Sequence, residues 1–253
     1  MKAINTLRLL MLLLMAPAMA LASEAGIHLD KAPVDLKNTA SLQRGAKLFT
    51  TRCLACHSAS YMRYNRLRDI GMTEEMIKKE LELPEDVKLG STMRAVMDAN
   101  SAKLAFGVAP PDLSVIARSR SADWIYTYMR TFYVDDSRAS GWNNTTFPNV
   151  GMPFVLADLQ GKQVLHVENQ KGHEVKKLVL ESLGSMCTAG YSMCTAGYDA
   201  TIADLTNYLV FMSDPSKLVR AELGYIVLGF LFLLFMLIYA LKKEVWKDIH
   251  LSS

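Results

Sequence analysis

The sequence predicts an all-α protein whose bulk is exported and which one C-terminal helix holds in a membrane. Three observations predict this class. The N-terminus has the features of an export signal, and a run of about twenty apolar residues lies near the C-terminus. Between them, apolar residues recur at three- and four-residue steps, the period of amphipathic helices, most clearly in DATIADLTNYLVFM at residues 199–212.

Residues 1–22 are predicted to be a secretory signal peptide. A positively charged start precedes an apolar run at residues 9–15, and an Ala-x-Ala pattern that permits cleavage ends at Ala22. An apolar run this short cannot cross a hydrocarbon core of about 30 Å, which disfavours an N-terminal anchor. Because no transit segment precedes the signal, we expect a bacterial protein whose residues 23–220 lie in the periplasm.

Residues 221–241 are predicted to span the bacterial inner (cytoplasmic) membrane once and to contact its lipid. This run carries one charge, Glu222, at its edge and is long enough to cross the hydrocarbon. A buried core helix is the alternative, but an all-round apolar helix of this length is unusual in a chain of this size. By the positive-inside rule we expect the tail at 242–253 in the cytoplasm, because it carries Lys242, Lys243 and Lys247.

The charge balance argues against a nucleic-acid partner. The chain carries 28 Lys and Arg against 25 Asp and Glu, and its exported part is close to neutral, whereas nucleic-acid binding usually needs a basic face. One acidic segment, TEEMIKKELELPED at residues 73–86, suggests electrostatic steering of a basic partner. We favour the alternative of a solvated helix with Glu74–Lys78 and Glu75–Lys79 pairs.

Two further helices are predicted in the exported part. Ser41 is expected to cap a helix that runs to about Cys56, on which Gly45 and Phe49 share a face. A glycine facing an aromatic ring lets two helices cross closely, so we expect contact with the helix at 199–212, which Pro215 ends. Ser121 is expected to cap the other helix, whose apolar stripe comprises Trp124, Ile125, Tyr128, Met129 and Phe132.

The cluster CLACH contains Cys53, Cys56 and His57, and three chemistries use such a cluster. A zinc site wants four ligands, but no other close Cys or His pair stands at ligand spacing. A thioredoxin-like redox pair belongs in a βαβ pattern, which does not surround this one. Thiols at i and i+3 followed by histidine form the c-type haem attachment motif, in which the imidazole reaches the iron. We therefore expect covalently attached haem c.

A second axial ligand is expected from a methionine, since thioether ligation is typical of electron-transfer haems. The chain has 15 methionines, so composition does not choose among them. FPNVGMPF, residues 147–154, places Met152 between a glycine that permits close approach and a proline that stiffens the loop. Met152 is thus a candidate on chemistry alone, and core filling is the alternative.

The stretch VAPPDLSVIARSR, residues 108–120, follows the acidic segment. Its two prolines predict an extended turn, and Asp112 is expected to cap a short helix. Arginines pair well with carboxylates such as haem propionates, so Arg118 and Arg120 are candidates for that role. Solvated surface arginines are the alternative.

The segment SMCTAGYSMCTAGY, residues 185–198, repeats seven residues identically. Cys187 and Cys194 stand one repeat apart, which is too far for a disulfide in a continuous helix but possible in a turn or hairpin. An oxidising periplasm favours such a bridge. A Cys187–Cys194 disulfide is therefore one hypothesis, and a tolerated loop duplication without a role is the other.

In this order, CLACHSASYMRYNRL, APPDLSVIARSR, FPNVGMP and the C-terminal anchor resemble the cytochrome c1 family, from about residue 27 to residue 250. The resemblance implies a class I cytochrome c-like haem domain with an inserted segment between the iron ligands. It implies thioether links at Cys53 and Cys56 and iron ligation by His57 and Met152. It also implies a haem pocket wall at Pro110 and Pro111 and a propionate partner at Arg120. The duplicated segment departs from the family pattern.

The resemblance also implies a function. Members of the family are haem subunits of the cytochrome bc1 complex, a ubiquinol:cytochrome c oxidoreductase. We therefore expect electrons to arrive from the Rieske iron–sulfur protein and to leave to a soluble cytochrome c, within a dimeric complex that contains cytochrome b. The chain alone would carry out no substrate chemistry. An independent membrane-anchored cytochrome c shuttle is the alternative, and a thiol protein without haem is a third reading.

Overall fold

The computed structural model describes residues 28–170, 173–185 and 191–247, and gives the backbone alone at residues 169–170, 173–175 and 191–195. The predicted signal peptide and Cys187 lie outside the described residues, as does the side chain of Cys194. The chain divides into two units, residues 1–30 and 31–253. In the described part of the first, His28 Nδ1 lies 3.7 Å from the Asp30 carboxylate. All helices and strands of the described residues lie in the second unit.

Helices and short strands are interspersed along the described chain. The helices are α1 (Thr39–Leu48), α2 (Glu74–Glu80), α3 (Ala99–Phe106), α4 (Ile116–Ser119), α5 (Ala122–Arg130), α6 (Ala157–Gln160), α7 (Tyr191–Ser213) and α8 (Lys217–Trp246). The strands are β1 (Ala59–Arg63), β2 (Thr92–Met93), β3 (Phe132–Val134), β4 (Trp142–Asn144), β5 (Gly161–Gln170) and β6 (His173–Leu183). A π-helical turn, Phe49–Cys53, extends α1, and a 3₁₀ helix spans Tyr64–Ile70.

The expectation of an all-α domain is corrected by three two-stranded antiparallel sheets, which pair β1 with β2, β3 with β4, and β5 with β6. The β5–β6 hairpin is the largest and follows Met152 in the chain. Its sequence, GKQVLHVENQ and HEVKKLVLESL, is rich in valine and leucine with polar residues between them, a pattern that suits paired strands. Gly161 starts β5 with φ of +95°, and an added Cβ would lie 1.9 Å from Ser182 O.

Helix α1 begins three residues earlier than predicted. Asn38 is the N-cap, because its side-chain oxygen accepts the N–H of Ser41. The prediction that Ser41 caps this helix is therefore wrong, and Ser41 is instead buried within its first turn. Both residue types accept from free N–H groups at a helix start, so the sequence does not distinguish two candidates this close together.

The predicted close crossing of α1 and α7 is confirmed. A Cβ added at Gly45 would lie 2.1 Å from Asp204 O, so only glycine fits at this contact. Beside it the rings of Phe49 and Tyr208 are 5.6 Å apart, and both side chains are fully buried. Arg44 closes the edge of the crossing with two hydrogen bonds, of 2.6 and 2.9 Å, to the Asp204 carboxylate.

Helix α5 starts as predicted, since Ser121 Oγ accepts the N–H of Trp124. The helix ends at Arg130, so Phe132 belongs to β3 and not to the predicted helical stripe. The aromatic rings still form one continuous group. Trp124 stacks on Tyr128 at 4.7 Å, Tyr128 meets Phe132 edge-on at 5.0 Å, and Phe132 stacks on Phe154 at 4.8 Å. These contacts link α5, β3 and the Met152 segment.

The acidic segment forms a helix that is shorter than the segment itself. Helix α2 ends at Glu80, with Thr73 Oγ1 accepting the N–H of Met76 at its start. Glu74 pairs with Arg68 in the preceding 3₁₀ helix rather than with Lys78, the partner expected from its spacing. Contact with the preceding 3₁₀ helix thus replaces the predicted Glu74–Lys78 pair.

The C-terminal helix α8 is longer than the predicted span and begins soon after Pro215, which separates it from α7 as expected. It has 30 residues, and its most apolar window has a mean hydropathy of 2.5 with none of that window buried. At a rise of 1.5 Å per residue, this length exceeds the thickness of a bilayer core. Its composition and length fit a single membrane span.

Candidate functional site

The residues of CLACH and FPNVGMPF meet at one cavity. Two adjoining lobes, with about 1190 and 550 Å³ of space that is partly open to solvent, both have Cys53, His57 and Met152 in their walls. Cys56 and Pro110 line the smaller lobe, and Pro111 lines both. Most of the remaining wall is apolar or aromatic, with Val108, Leu113, Ile116, Trp124, Phe147 and Leu205 among its members. Residues far apart in sequence therefore form a site with the character of a cofactor pocket.

The two cysteines are placed by the π-helical turn at the end of α1. Cys53 is the last residue of this turn, and its carbonyl oxygen accepts the N–H groups of Cys56 at 3.1 Å and His57 at 2.8 Å. These two hydrogen bonds fold CLACH tightly, so that both thiols and the imidazole face the same cavity. Short π-helical segments are uncommon and often occur at functional sites.

Both thiols are free, and Cys53 is buried. Burial, with a smaller contribution from the charge of Cys56, raises the pKa of the Cys53 thiol to about 12. A buried protonated thiol is a poor ligand for zinc, which binds the thiolate. Among the described residues, no three His, Cys, Asp or Glu side chains group as a metal site would require. These observations disfavour the zinc reading of CLACH.

His57 is held in one orientation by the proline segment. Its Nδ1 lies 2.8 Å from Pro111 O, a carbonyl that only accepts, so Nδ1 carries the proton and donates it. The neutral ring then has its lone pair on Nε2. Burial lowers the pKa of His57, although the Pro111 hydrogen bond and the nearby Asp112 charge oppose this. A neutral imidazole with a free Nε2 has the state that an iron ligand requires.

Met152 lies where the loop after β4 approaches the region before α4. A Cβ at Gly151 would lie 3.0 Å from both Phe106 O and Val108 Cγ1. This close approach explains why glycine, which has no side chain, precedes Met152. The hydroxyl of Tyr128 donates to Met152 Sδ at 3.6 Å. Burial raises the pKa of Tyr128, so this hydroxyl remains protonated as a donor. The sequence indicated Tyr128 only as part of an apolar stripe.

Arg120 lines the larger lobe of the cavity from an exposed position. Its guanidinium lies 5.2 Å from the ring centre of Trp124 and 5.9 Å from that of Phe147. Within the described part of the chain it pairs with no carboxylate, so its hydrogen-bond donors face the cavity edge and solvent. Arg118 is exposed too and does not line either lobe. The structure thus separates the two arginines that sequence alone left equivalent.

Asp112 does not cap α4, contrary to the prediction. Helix α4 starts after Val115 without a side-chain cap, and Asp112 instead accepts the N–H groups of Ser60 and Ser114. A carboxylate can reach backbone donors on another segment of the chain, and a local pattern does not reveal those donors. Asp112 therefore connects the proline segment to the segment after CLACH.

The donor set suits a c-type haem. The cavity combines two free thiols at the attachment spacing, a neutral imidazole, a thioether, apolar walls and a cation at the rim. Thioether links use the thiols without requiring a thiolate as a metal ligand. A Met/His pair is a ligand set found at the iron of electron-transfer haems. No described Asp or Glu lines either lobe, so no carboxylate competes with these ligands.

Comparisons with known proteins agree with this chemistry. The model of the Cytochrome C1 family matches residues 30–174. The chain is 49% identical to the ammonia monooxygenase gamma subunit of Nitrosomonas europaea, covering 96% of this chain and 97% of that protein. It is 46% identical to the cytochrome c1 of Allochromatium vinosum, covering 94% and 96%. It is 26% identical to the cytochrome b/c1 of Bradyrhizobium diazoefficiens, covering 83% of this chain but 33% of that protein.

Two of these relatives match nearly their whole length at far more than 30% identity, and the family model covers more than half of the chain. Proteins of this family carry one covalently attached c-type haem with its iron and are electron-transfer subunits anchored in a membrane. The site described above has the residues for that cofactor, and α8 fits the anchor. The chain belongs to the cytochrome c1 family.

Proposed function

We propose that this chain transfers electrons from the Rieske iron–sulfur protein to a soluble cytochrome c within a ubiquinol:cytochrome c oxidoreductase. The observation that carries the proposal is the meeting of His57 and Met152 at one cavity with the free thiols of CLACH. Membership of the cytochrome c1 family supports the general role of a haem subunit of a bc1 complex. When bound, the haem supplies a one-electron redox centre.

The proposed roles follow from each side chain. Cys53 and Cys56 would hold the haem through thioether links, and His57 Nε2 and Met152 Sδ would bind its iron. The Nδ1–H bond to Pro111 O holds the imidazole tautomer that leaves Nε2 available. Apolar walls keep water from the cavity, which limits the reorganisation that accompanies a change of charge. The chain itself binds and transforms no substrate.

Two further roles are proposed at the cavity rim. Pro110 and Pro111 form a rigid wall that cannot collapse into the cavity, since proline has a fixed φ. Arg120 binds a haem propionate, because its guanidinium is at the rim and unpaired with any described carboxylate. Arginine binds a carboxylate through two parallel hydrogen bonds, and the Trp124 and Phe147 rings beside it orient its plane.

The proposed surroundings are those of an inner-membrane complex. Residues 1–22 serve as a cleaved signal, residues 23–220 form the periplasmic haem domain, residues 221–241 span the membrane, and residues 242–253 lie in the cytoplasm. Cytochrome b and the Rieske protein are the proposed partners, in a dimeric complex. A relative whose name joins cytochromes b and c1, and of which this chain matches about a third, supports the association with cytochrome b.

A second candidate arises from the relative named as an ammonia monooxygenase gamma subunit, which is 49% identical over nearly the whole chain. In that case the same haem site would serve a monooxygenase instead of a quinol oxidase. The third candidate, an independent anchored shuttle, needs no partner subunit in the membrane. All three place a c-type haem at CLACH and differ in the proteins that donate and accept its electrons.

The test uses membranes that contain the full-length protein. A c-type absorption band that appears when a quinol is added, and that an inhibitor of quinol oxidation abolishes, is the expected result, together with co-purification of a polytopic cytochrome b. A c-type band that ignores the inhibitor, without cytochrome b, would favour the shuttle. Co-purification with monooxygenase subunits instead would favour the second candidate. Absence of any covalently attached haem would overturn all three.

A further inference from the structure

Beyond the residues expected to bind the haem, a set of hydrogen bonds joins the segment after CLACH to the proline segment. Asp112 Oδ2 accepts the N–H of Ser60 at 2.9 Å, and Asp112 Oδ1 accepts the N–H of Ser114 at 2.8 Å. In parallel, Leu113 N–H donates to Ser58 O at 2.8 Å, and Ser114 Oγ accepts the N–H of Tyr61 at 3.0 Å. We call these four bonds the Asp112 bridge.

The bridge lies directly beside the contact that orients His57. The histidine is one residue before Ser58, and Pro111, whose carbonyl accepts Nδ1–H at 2.8 Å, is one residue before Asp112. The bridge therefore begins immediately after both members of this hydrogen bond. Three of these bonds join the two segments, and the fourth, from Ser114 N–H, holds the Asp112 carboxylate in place. Because two short segments joined at three points cannot slide past each other, the distance from Nδ1 to Pro111 O is set by the bridge.

Asp112 is the only member of the bridge that uses both oxygens of one side chain, and it binds one donor on each segment. Burial alone would raise its pKa, but the hydrogen bonds from Ser114 and Ser60 outweigh that effect and lower it. The side chain is therefore an ionised acceptor at neutral pH. Carboxylates that accept backbone N–H groups form the stronger, charge-assisted class of hydrogen bond.

We propose that Asp112 is a positioning residue that sets the strength of the His57 ligand through the Pro111 carbonyl. This inference rests on the proposed ligation of iron by His57. A hydrogen bond from Nδ1–H to a fixed acceptor raises the basicity of an imidazole ligand, and a more basic ligand stabilises the oxidised iron. The bridge thus lowers the reduction potential of the site from a position that touches neither the haem nor its ligands.

The direction of the shift in midpoint potential distinguishes a positioning role of Asp112 from a general contribution to stability. Loss of the Nδ1–H bond weakens the ligand and raises the midpoint potential. A merely loosened domain would instead admit water to the apolar cavity, which stabilises the more highly charged oxidised iron and lowers the potential. The two explanations predict opposite shifts.

The experiment compares midpoint potentials of the full-length, haem-loaded protein in membranes, with the axial ligands checked by electron paramagnetic resonance. We expect Asp112→Asn to raise the potential, because an asparagine oxygen can replace only one of the two acceptors. Asp112→Ala should raise it further. Ser114→Ala removes one bond of the bridge without changing charge and should produce a smaller rise. If Asp112→Ala accumulates poorly, Ser114→Ala still gives the answer, because it weakens the bridge and keeps the Asp112 charge.

Asp98→Asn is the matched control. The Asp98 carboxylate also accepts two backbone N–H groups, from Asn100 and Ser101 at 3.0 Å each, but it lines neither lobe of the cavity. It should keep the wild-type potential. Unchanged or lowered potentials in the Asp112 variants would overturn the positioning role while leaving His57 ligation in place. Paramagnetic resonance spectra of the wild-type protein that show no histidine bound to the iron would overturn both the proposed ligation and this inference.

Discussion

At the scale of single residues, the site depends on how each of the two proposed iron ligands is held, and not on its identity alone. His57 donates to a backbone carbonyl, whereas Met152 accepts from the Tyr128 hydroxyl. The first contact strengthens an imidazole donor. The second withdraws electron density from a thioether and weakens it. The chain therefore adjusts its two ligands in opposite directions.

The first prediction concerns Tyr128→Phe. The change removes the hydroxyl that donates to Met152 Sδ, so the thioether becomes a stronger donor and the midpoint potential falls. A hydrogen bond contributes about 1 kcal/mol, and a tenfold change in a one-electron equilibrium is about 59 mV, so the fall should not exceed about 40 mV. Potentiometric titration of the haem band measures it.

Tyr208→Phe is the control for this prediction. Tyr208 also donates to a methionine sulfur at 3.6 Å, that of Met93, but neither residue lines the cavity. Its substitution should leave the potential unchanged. Equal shifts in both variants would show that the tyrosine hydroxyls act through stability and not through the ligand.

At the scale of elements, the crossing of α1 and α7 connects the attachment turn to the rest of the domain. Phe49 opens the π-helical turn that ends at Cys53, and its ring packs on Tyr208 of α7. Any change that separates the two helices therefore moves the cysteines. Gly45 is the residue at which the backbones come closest.

Gly45→Ala should be destabilising although alanine favours helices. The added Cβ would lie 2.1 Å from a backbone oxygen that cannot rotate away, and overpacking of this kind costs about 1–3 kcal/mol. Thermal unfolding, followed by the near-UV and haem signals, should shift down by several degrees. Gly90→Ala is the control, because nothing lies within 4 Å of a Cβ there, and it should melt like wild type.

The β5–β6 hairpin is a separable element. Its base packs on the domain, where Gln163 Nε2 donates to Phe132 O at 2.9 Å and to Arg130 O at 3.1 Å. Val164 and Val179 are paired across the hairpin, so a short turn can join them directly. We expect this shortened protein to keep its haem spectrum, because none of the hairpin residues whose side chains are described lines the cavity. Loss of attached haem would contradict this independence.

At the scale of the whole molecule, the described haem domain and α8 meet at a short connection. Asp214 binds Arg220 across it, and no part of the most apolar window of α8 is buried against the domain. A stop codon after Pro215 should therefore release a soluble, haem-loaded domain, measured as c-type haem in the soluble fraction. A truncated protein that remains with the membrane would show that another part of the chain anchors it.

Most of the site was predictable because its signals are local. The thiol spacing, the neighbouring imidazole and the Gly–Met–Pro triplet each lie within a few residues, and the structure brings them to one cavity. The roles of Asp112 and Tyr128 were not, because their partners lie 52 and 24 residues away. The β5–β6 hairpin was not predicted, because its valines and leucines do not alternate strictly with polar residues and so give a weak strand pattern.

The distance along the chain between the two crossing helices has a consequence for the order of assembly. Arg44 and Asp204 are 160 residues apart, so the contact between α1 and α7 forms only after most of the domain is available. With the proposed export from the N-terminus, CLACH would emerge long before α7 and before the loop that carries Met152. A cofactor held only by packing would leave such an open chain. The two proposed covalent bonds would retain it from the first stage, while the rest of its pocket is still being exported.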